Sequence, residues 1–430
     1  MTYNEAIQYL YGLQLFGARP GLENTFALAA LAGKPQARLR FIHVAGTNGK
    51  GSTCAMLESI YRTAGLKVGL FTSPHLVSFG ERIQVNRQPI NETDITRLTK
   101  QLQDWMQQFP QDSHPTFFEA VTVMALLYFE EQKCDLVIWE TGLGGRLDAT
   151  NIVTPLASVI TNIQFDHQAW LGDTLARIAS EKAGIIKPNV PVISAVDDPA
   201  AFRVLFETAR QNHAPFWLIT WAQTERPPVS EIRLPFFGEH QRLNAAVAVY
   251  AVKAVNPIIP VDDSCIQIGL SSAFWPGRMQ LVEKPGGKHY LLDGAHNIAG
   301  ARALSRAVKS YFAVRTPTLI LGILKDKDCT AICHALAPLG TRILLVPVQS
   351  HRTEAPAALV TACQTANPAA EVLVCDSLQD GINRASQDEF VIITGSLYLI
   401  GEAMELLDLA PNKPANERGL NEWNAVRKTP

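Results

Sequence analysis

The chain has 430 residues, which is too long for one ordinary hydrophobic core, so two or three domains are expected. Its hydrophobic share of 47% is that of a folded globular protein rather than a disordered one. The 38 Lys and Arg residues nearly balance the 40 Asp and Glu residues, and the net charge of −2 gives no indication of nucleic-acid or membrane binding.

Cysteine usage and the lack of a recognisable targeting signal indicate in which cellular compartment the protein works. The seven cysteines form no CxxC pair, and several lie in apolar helical or strand patterns, which favours reduced, buried thiols. The amino terminus lacks a basic-then-apolar signal, and no run of 18 apolar residues occurs. We therefore expect a soluble cytoplasmic protein.

A glycine-rich stretch near residue 50 is the clearest chemical signal. It follows an apolar run, 41–45, and precedes a helical pattern, so the order is strand, glycine loop, helix. This order aims backbone N–H groups and the positive end of a helix at phosphate oxygens. Lys50 can reach the β- and γ-phosphates of a nucleotide. The Ser52 hydroxyl can reach a magnesium ion. The residues predicted to bind the nucleotide are Thr47, Asn48, Gly49, Lys50, Gly51 and Ser52.

The loop departs from the usual Walker spacing. Val44 stands where its first glycine would be, and Gly51 separates Lys50 from Ser52. The alternative interpretation is a glycine-rich turn that only lets a strand enter a helix. Three glycines, a lysine and a serine in strand, loop and helix order favour the phosphate loop.

Before residue 250 the pattern alternates between helices and strands. Helices are predicted before residue 40 and over 93–108, 117–132 and 174–183, and residues 76–92 look extended. The remaining predicted strands are 68–71, 136–139, 156–161 and 190–194. Such alternation predicts parallel βαβ units.

A second alternation begins after the sequence Trp-Pro-Gly-Arg at 275–278, where a domain boundary is predicted. Its predicted strands are 289–293, 318–322, 342–348, 371–375 and 389–394, with helices between them. The domains are therefore placed at 1–277 and 278–410. Residues 411–430 are polar with little periodicity, and we expect a disordered tail.

Ligands of open parallel sheets lie beyond the carboxyl ends of the strands. Glu140 ends an apolar strand, where nucleotide enzymes place a magnesium-binding acid, although a surface Glu is the alternative. His167 could be a metal ligand, a base or a structural histidine. Lys182 lies on an apolar helix face, where a desolvated amine could form a carbamate, or the side chain could simply reach solvent.

The sequence Asp-Gly-Ala-His-Asn at 293–297 follows the first predicted strand of the second domain and repeats this arrangement. Two such loops suggest a cleft that holds the nucleotide. The alternative for His296 and Asn297 is helix capping. Arg278 could close over the phosphates or lie at a hinge.

Taken together, ten short stretches resemble one family. They are GTNGKGS at 46–52, TSPH at 72–75, ERI at 81–83, ETGLGGRLDATN at 140–151, DHQ at 166–168, EKAGIIKP at 181–188, WPGR at 275–278, DGAHN at 293–297, KDKD at 325–328 and ITGSLYL at 393–399. In this order they resemble the folylpolyglutamate synthase/dihydrofolate synthase family, the folate branch of the Mur ligase superfamily. The resemblance extends from about residue 1 to residue 405.

The resemblance implies an α/β fold, with a P-loop parallel-sheet nucleotide-binding domain and a smaller Rossmann-like carboxyl-terminal domain. It also implies an ATP- and Mg²⁺-dependent ligase that adds L-glutamate to a dihydropteroate or folate carboxylate through an acyl phosphate. Its partners would be small molecules, without nucleic acid or membrane, and we expect a monomer.

The resemblance also assigns roles to individual residues. It implies that Lys182 is carbamylated and that the 72–82 loop borders the folate pocket. The expected metal ligands are Ser52, Ser73, Glu140, His167 and Lys182. Further nucleotide contacts are expected from Asn244, Arg278 and Asp293. The expected catalytic residues are Lys50, His167, Lys182 and His296. The expected substrate contacts are Ser73, Pro74, Arg82, Arg146 and Asp148.

Two alternatives stay open at this point. A Mur-type cell-wall peptide ligase would use the same mechanism, but those enzymes carry a UDP-binding domain before the glycine loop, and only 45 residues precede Gly46 here. A non-catalytic ATP-binding module would have no need of a second metal site formed by Glu140, His167 and Lys182.

Overall fold

The computed structural model describes residues 1–16, 21–410 and 417–422. The chain forms two compact units. The first comprises Met1–Pro235, Arg242–Ala273 and Ala415–Pro430, and the second comprises Phe236–Gln241 and Phe274–Pro414. The second unit thus begins shortly before the predicted boundary at 277 and also includes a short segment from the preceding linker.

An eight-stranded sheet organises the first unit. Its strands are β1 Phe41–Ala45, β2 Val68–Phe71, β3 Ile83–Val85, β4 Gln88–Pro89, β5 Leu136–Glu140, β6 Ala157–Ile160, β7 Val192–Ser194 and β8 Phe216–Leu218. The order is β4-β3-β2-β5-β1-β6-β7-β8, and all neighbours are parallel except β2 with β3 and β3 with β4. Every residue of β1, β2, β5 and β6 is buried, as continuous apolar strands covered on both faces require.

Eleven helices accompany this sheet in the described part of the chain. They are α1 Tyr3–Gly12, α2 Glu23–Leu31, α3 Lys50–Thr63, α4 Glu92–Met106, α5 Phe117–Glu131, α6 Gln168–Leu171, α7 Leu175–Ala183, α8 Pro199–Gln211, α9 Trp221–Thr224, α10 Glu239–Val255 and α11 Asp263–Ser271. The first residues of α10 cluster with the second unit. No helix within the described ranges is long and apolar enough to cross a membrane.

A six-stranded sheet organises the second unit. Its strands are β9 Gln280–Lys284, β10 Lys288–Asp293, β11 Thr318–Leu321, β12 Arg342–Leu345, β13 Glu371–Val374 and β14 Phe390–Thr394. The order is β13-β12-β11-β14-β10-β9, with only β9 antiparallel to its neighbour. Its helices are α12 Ile298–Tyr311, α13 Cys329–Leu336, α14 Pro356–Ala366, α15 Leu378–Arg384 and α16 Leu397–Leu406.

Two α/β units, each with a mainly parallel sheet, confirm the predicted fold class. Two strands that the sequence did not predict, β8 and β9, lie at sheet edges. An edge strand is buried on fewer sides, so it lacks the continuous apolar run of a central strand. The predicted extended segment 76–92 contains the strands β3 and β4, and a 3-10 helix, Phe79–Arg82, which the sequence did not predict, precedes them. Its Ser78 and Glu81 form a capping box, which explains the turn.

The predicted disordered tail, 411–430, needs a correction over five residues. Residues 411–416 and 423–430 lie outside the described part of the chain. Between them, Glu417–Asn421 forms a 3-10 helix, and the side chains of Glu417 and Leu420 are buried in the first unit. A short polar segment without periodicity gives no sequence signal of this kind, because its order comes from contacts distant along the chain.

Candidate active site

The glycine loop joins β1, which ends at Ala45, to α3, which begins at Lys50. Two of its glycines are required by their surroundings. Gly46 has φ of +149°, and a Cβ there would lie 1.9 Å from the Thr161 hydroxyl oxygen. Gly49 has φ of +84°, and its Cβ would lie 2.5 Å from Oδ1 of Asn244. The loop thus keeps its open backbone, and Asn244 lies against it, while a nucleotide contact for Asn244 stays a prediction.

Residues that follow β6 hold the loop backbone in place. Asn162 accepts a hydrogen bond from the Asn48 N–H (2.8 Å), and Thr161 donates its hydroxyl to the Asn48 carbonyl (2.6 Å). The Thr47 hydroxyl donates to the Gln164 carbonyl (3.1 Å) and accepts from the Gln164 N–H (3.1 Å). Sequence reasoning missed these supports, because their role depends on β6 lying beside β1 in the sheet.

Two lysines converge on one carbonyl of the loop. The Lys50 ammonium donates to the Gly46 carbonyl (3.1 Å), and the Lys182 amine donates to the same oxygen (2.9 Å). Burial and then the positive charge of Lys50 lower the pKa of Lys182 to about 7. The carboxylates of Asp166 and Asp148 oppose this shift. Lys182 is therefore a buried amine that is partly neutral near pH 7, held next to the glycine loop.

Glu140 lies at the same edge of the sheet. It is the last residue of β5 and pairs with Val44 of β1, two residues before Gly46. Its Oε2 accepts a hydrogen bond from the Ser73 N–H (3.1 Å), and its side chain is buried. After burial itself, the negative charge of Glu140 is the next cause that raises the pKa of the Cys54 thiol in α3. Glu140 and Ser73 are thus brought together beside the start of α3.

His167 precedes α6 and has a left-handed backbone, with φ of +51°. Its N–H donates to Oδ1 of Asp166 (2.8 Å), and its Nε2 lies 3.9 Å from the same oxygen. The side chain is 30% exposed, so the ring is at the surface of the site rather than in the core. A metal or catalytic role for His167 stays a prediction.

The turn after Glu140 packs against the end of α7, which carries Lys182. Asp148 is buried and accepts hydrogen bonds from the N–H groups of Leu143 (2.8 Å) and Thr150 (3.0 Å). Arg146 pairs with Glu181 through its Nη2 (2.7 Å). Both predicted substrate residues therefore stabilise this turn, and a substrate contact for either of them stays a prediction.

The 72–82 loop is organised by a carboxylate that sequence reasoning missed. Glu81 accepts hydrogen bonds from three successive N–H groups, those of Leu76, Val77 and Ser78. The spacing of Ser78 and Glu81 is a capping-box signature, which could have been detected. Arg82 is buried and donates through Nε to His75 (2.8 Å), so it is held inside the loop. Pro74 joins Ser73 through a cis peptide bond.

In the second unit, Asp293 closes the loop after β10. Its two carboxylate oxygens accept from the N–H groups of Met279 and Ala295, both at 2.9 Å. Burial raises the pKa of Asp293, while the Arg278 charge and these hydrogen bonds oppose the increase. Arg278 lies close enough that a Cβ on Gly294 would be 2.6 Å from its Nη1.

Of the two residues for which the sequence left helix capping open, Asn297 is the cap, and a catalytic role for His296 stays a prediction. Asn297 caps α12, because its Oδ1 accepts the Gly300 N–H (2.8 Å). His296 Nδ1 lies 2.8 Å from the Gly294 carbonyl oxygen. A carbonyl can only accept, so the Nδ1–H group of His296 donates to it.

Comparison with known proteins identifies the chain. The family described as "Mur ligase middle domain" matches residues 44–252, and "Mur ligase, glutamate ligase domain" matches residues 277–397. The dihydrofolate synthase/folylpolyglutamate synthase of Bacillus subtilis is 37% identical over 428 residues, which cover 94% of this chain and 99% of that protein. The chain belongs to the folylpolyglutamate synthase/dihydrofolate synthase family. This membership confirms the resemblance inferred from the ten stretches.

Solved structures of this folylpolyglutamate synthase/dihydrofolate synthase family agree with the fold. The Mycobacterium tuberculosis folylpolyglutamate synthase complexed with ADP and AMPPCP has a TM-score of 0.86 at 28% identity, covering 95% of this chain and 100% of that one. The Escherichia coli protein in complex with DHPP and ADP has a TM-score of 0.82 at 29% identity, covering 95% and 98%. The predicted class of ATP-dependent ligase is therefore confirmed at the level of the family.

Proposed function

We propose that this protein attaches L-glutamate to the carboxylate of dihydropteroate and to the γ-carboxylate of a reduced folate, at the expense of ATP. The observation that carries the proposal is the convergence of Lys50 and Lys182 on the Gly46 carbonyl, at the start of α3. The Lys50 ammonium next to a helix amino terminus is suited to a polyphosphate, and the partly neutral Lys182 amine lies beside it. The ADP, AMPPCP and DHPP complexes of family members support ATP and a pterin as ligands.

The reaction needs two transfers. First, an oxygen of the acceptor carboxylate attacks the γ-phosphorus of ATP, and the bond from this phosphorus to the bridging oxygen breaks. ADP departs, and the acceptor is now an acyl phosphate. The amine of glutamate then attacks the acyl carbon, phosphate departs with the C–O electron pair, and the amine loses a proton. Lys50 neutralises charge on the transferred phosphoryl group, and the N–H groups at the amino terminus of α3 orient it. His296 Nε2 is the proposed acceptor of the amine proton.

The donor set of the first unit fits magnesium. Ser52 and Glu140 are buried oxygen donors, and hard oxygen ligands are those that Mg²⁺ prefers. We propose that Ser52, Ser73, Glu140 and His167 hold the ion, which would supply charge neutralisation for the phosphates. Lys182 is proposed to join this set as a carbamate, since a partly neutral amine can add carbon dioxide and release one proton.

The acceptor and the second unit complete the proposal. The 72–82 loop, with Pro74 and Arg82, is the proposed border of the pterin site, and Arg146 and Asp148 are proposed to lie beside it. Arg278 and Asp293 are the proposed nucleotide contacts of the second unit. We also propose that the protein is cytoplasmic, because its seven free thiols suit a reducing compartment. We further propose that it is a monomer.

Two acceptors compared side by side test the proposal. Purified protein with ATP, Mg²⁺ and L-glutamate should release ADP and phosphate only when dihydropteroate or a reduced folate is added. The product of each should gain one glutamate by mass spectrometry. A UDP-linked cell-wall peptide is the negative acceptor. Release of ADP and phosphate with that peptide alone would reject the proposed function. So would the absence of release with both dihydropteroate and the reduced folate.

A further inference from the structure

A short carboxyl-terminal segment, Glu417–Asn421, packs directly on the 72–82 loop, and we name it the C-terminal turn. Glu417 Oε2 accepts a hydrogen bond from the Phe79 N–H (2.6 Å). Asn421 uses both ends of its amide, since Oδ1 accepts from Arg82 Nη2 (2.6 Å) and Nδ2 donates to the His75 carbonyl (2.8 Å). The turn therefore contacts the beginning, the middle and the end of the loop.

The ring of His75 links the same partners from inside the loop. Arg82 Nε donates to His75 Nδ1 (2.8 Å), and a guanidinium can only donate, so Nδ1 is the acceptor. The other nitrogen, Nε2, lies 2.9 Å from the Glu417 carbonyl oxygen and donates to it. Burial and then the Arg82 charge hold the pKa of His75 well below its usual value. One neutral tautomer is thus fixed between the loop and the C-terminal turn.

These contacts are buried. His75 and Arg82 are each 3% exposed, and Glu417 is 1% exposed. A buried polar group that loses its partner carries its desolvation cost without compensation. The loop and the C-terminal turn therefore stabilise each other, although more than 330 residues separate Asn421 from Arg82 in the chain.

The 72–82 loop connects the C-terminal turn to Glu140 through hydrogen bonds. Its ends are joined by the Thr72 N–H, which donates to the Arg82 carbonyl (3.1 Å), and the next residue, Ser73, donates its N–H to Glu140 (3.1 Å). Arg82 also lies over the Phe117 ring, 5.3 Å from its centre. The Arg82 backbone is therefore linked through Thr72 to Ser73, the residue that bonds Glu140.

We propose that Glu417 and Asn421 are positioning residues, which hold the 72–82 loop in the conformation that places Ser73 against Glu140. The structural part of this proposal stands by itself. Its catalytic consequence rests on the proposed function, in which Ser73 and Glu140 serve the metal and the loop borders the acceptor. Loosening the C-terminal turn should then raise KM for the acceptor more than KM for ATP.

Point variants in the full-length chain test both parts. Glu417→Ala removes the acceptor for Phe79, Glu417→Gln keeps an oxygen that can accept from it, and Asn421→Ala removes both bonds to the loop. Asn367→Ala is the matched control, because Asn367 donates to the Ala337 and Gly340 carbonyls in the second unit. Thermal unfolding of each variant shows that it is folded.

Hydrogen exchange gives a readout without catalysis. In Glu417→Ala the Phe79 amide should exchange roughly tenfold faster or more, while amides 76–78, which bond Glu81, should change less. Glu417→Gln should restore most of the protection, and Asn367→Ala should not alter the loop. Unchanged exchange across 73–82 in both Glu417→Ala and Asn421→Ala would overturn the proposal.

Kinetics then separate this proposal from the proposed function. The expected result is an acceptor KM raised roughly tenfold, a smaller change in KM for ATP, and recovery in Glu417→Gln. Faster exchange with unchanged acceptor kinetics would reject the positioning role and leave the ligase assignment intact. A wild-type protein without ligase activity would reject the proposed function, and the exchange result would still decide whether the C-terminal turn holds the loop.

Discussion

Two loops follow buried strands, one in each unit, and they differ in how charge is used. The loop after β1 contains no carboxylate and attracts two amines, those of Lys50 and Lys182, to one carbonyl. The loop after β10 is closed by the carboxylate of Asp293, which accepts the Ala295 N–H of the loop and also the N–H of Met279, just before β9. A loop that has no carboxylate side chain of its own is suited to bind an anionic ligand. A loop closed by its own anion is suited to position neighbouring side chains.

Removing the Lys50 amine from the first loop should have the largest effect of the changes considered. Lys50→Ala should lower kcat by roughly 10²–10³-fold, because a preorganised charge next to the transferred phosphoryl group is lost. ATP affinity should fall as well, measured by calorimetry. Lys100→Ala, at an exposed lysine of α4, is the matched control and should retain wild-type rates. An equal loss in both variants would contradict a phosphate role for the loop.

Removing the second amine tests whether both lysines serve the same loop. Lys182→Ala should lower kcat/KM by about 10–100-fold, as expected when a group that supports a metal site is lost. A small carboxylate such as acetate should partly restore the rate, since it can replace a carbamate, and chloride at equal ionic strength should not. Wild-type activity in Lys182→Ala would refute the proposed carbamate.

The second loop should respond mainly in stability. Asp293→Ala leaves the Met279 and Ala295 N–H groups without their acceptor in a buried place, which should cost about 2 kcal/mol of unfolding free energy. Asp293→Asn keeps one acceptor oxygen and should lose less. Urea unfolding measures both. If Asp293→Ala were as stable as the wild type, Asp293 would not be what closes this loop.

The sequence predicted those parts of the molecule that local chemistry determines. The central strands could be predicted because their residues are continuously apolar, and the glycine loop because glycine, lysine and serine have few other uses in that order. Asn162 and Thr161 could not be predicted as supports of the loop, since only the pairing of β6 with β1 brings them there. The C-terminal turn is the extreme case, because all its contacts with the 72–82 loop are distant along the chain.

The strands beneath the two loops also differ in a way that pH should reveal. Three residues before Gly46 of the first loop stands His43, and three residues before Gly294 of the second stands Leu291, and both are fully buried. Burial and then the Lys187 charge lower the pKa of His43 to about 3, and its Nε2 lies 2.9 Å from the Thr150 hydroxyl. Because its folded-state pKa is lower than the unfolded value of 6.5, the unfolded chain binds more protons at acid pH.

Stability from His43 is therefore complete above pH 6.5 and is lost as the pH falls from 6.5 towards 3. The loss should be about 1.4 kcal/mol at pH 5.5, since one pH unit corresponds to that free energy. His43→Gln cannot titrate, so between pH 7.5 and 5.5 it should lose less unfolding free energy than the wild type by this amount. Groups that both proteins share, such as His75, cancel in the comparison. His213→Gln, at an exposed position, is the matched control. Identical pH dependence in His43→Gln and the wild type would show that His43 is not the source of acid sensitivity beneath the glycine loop.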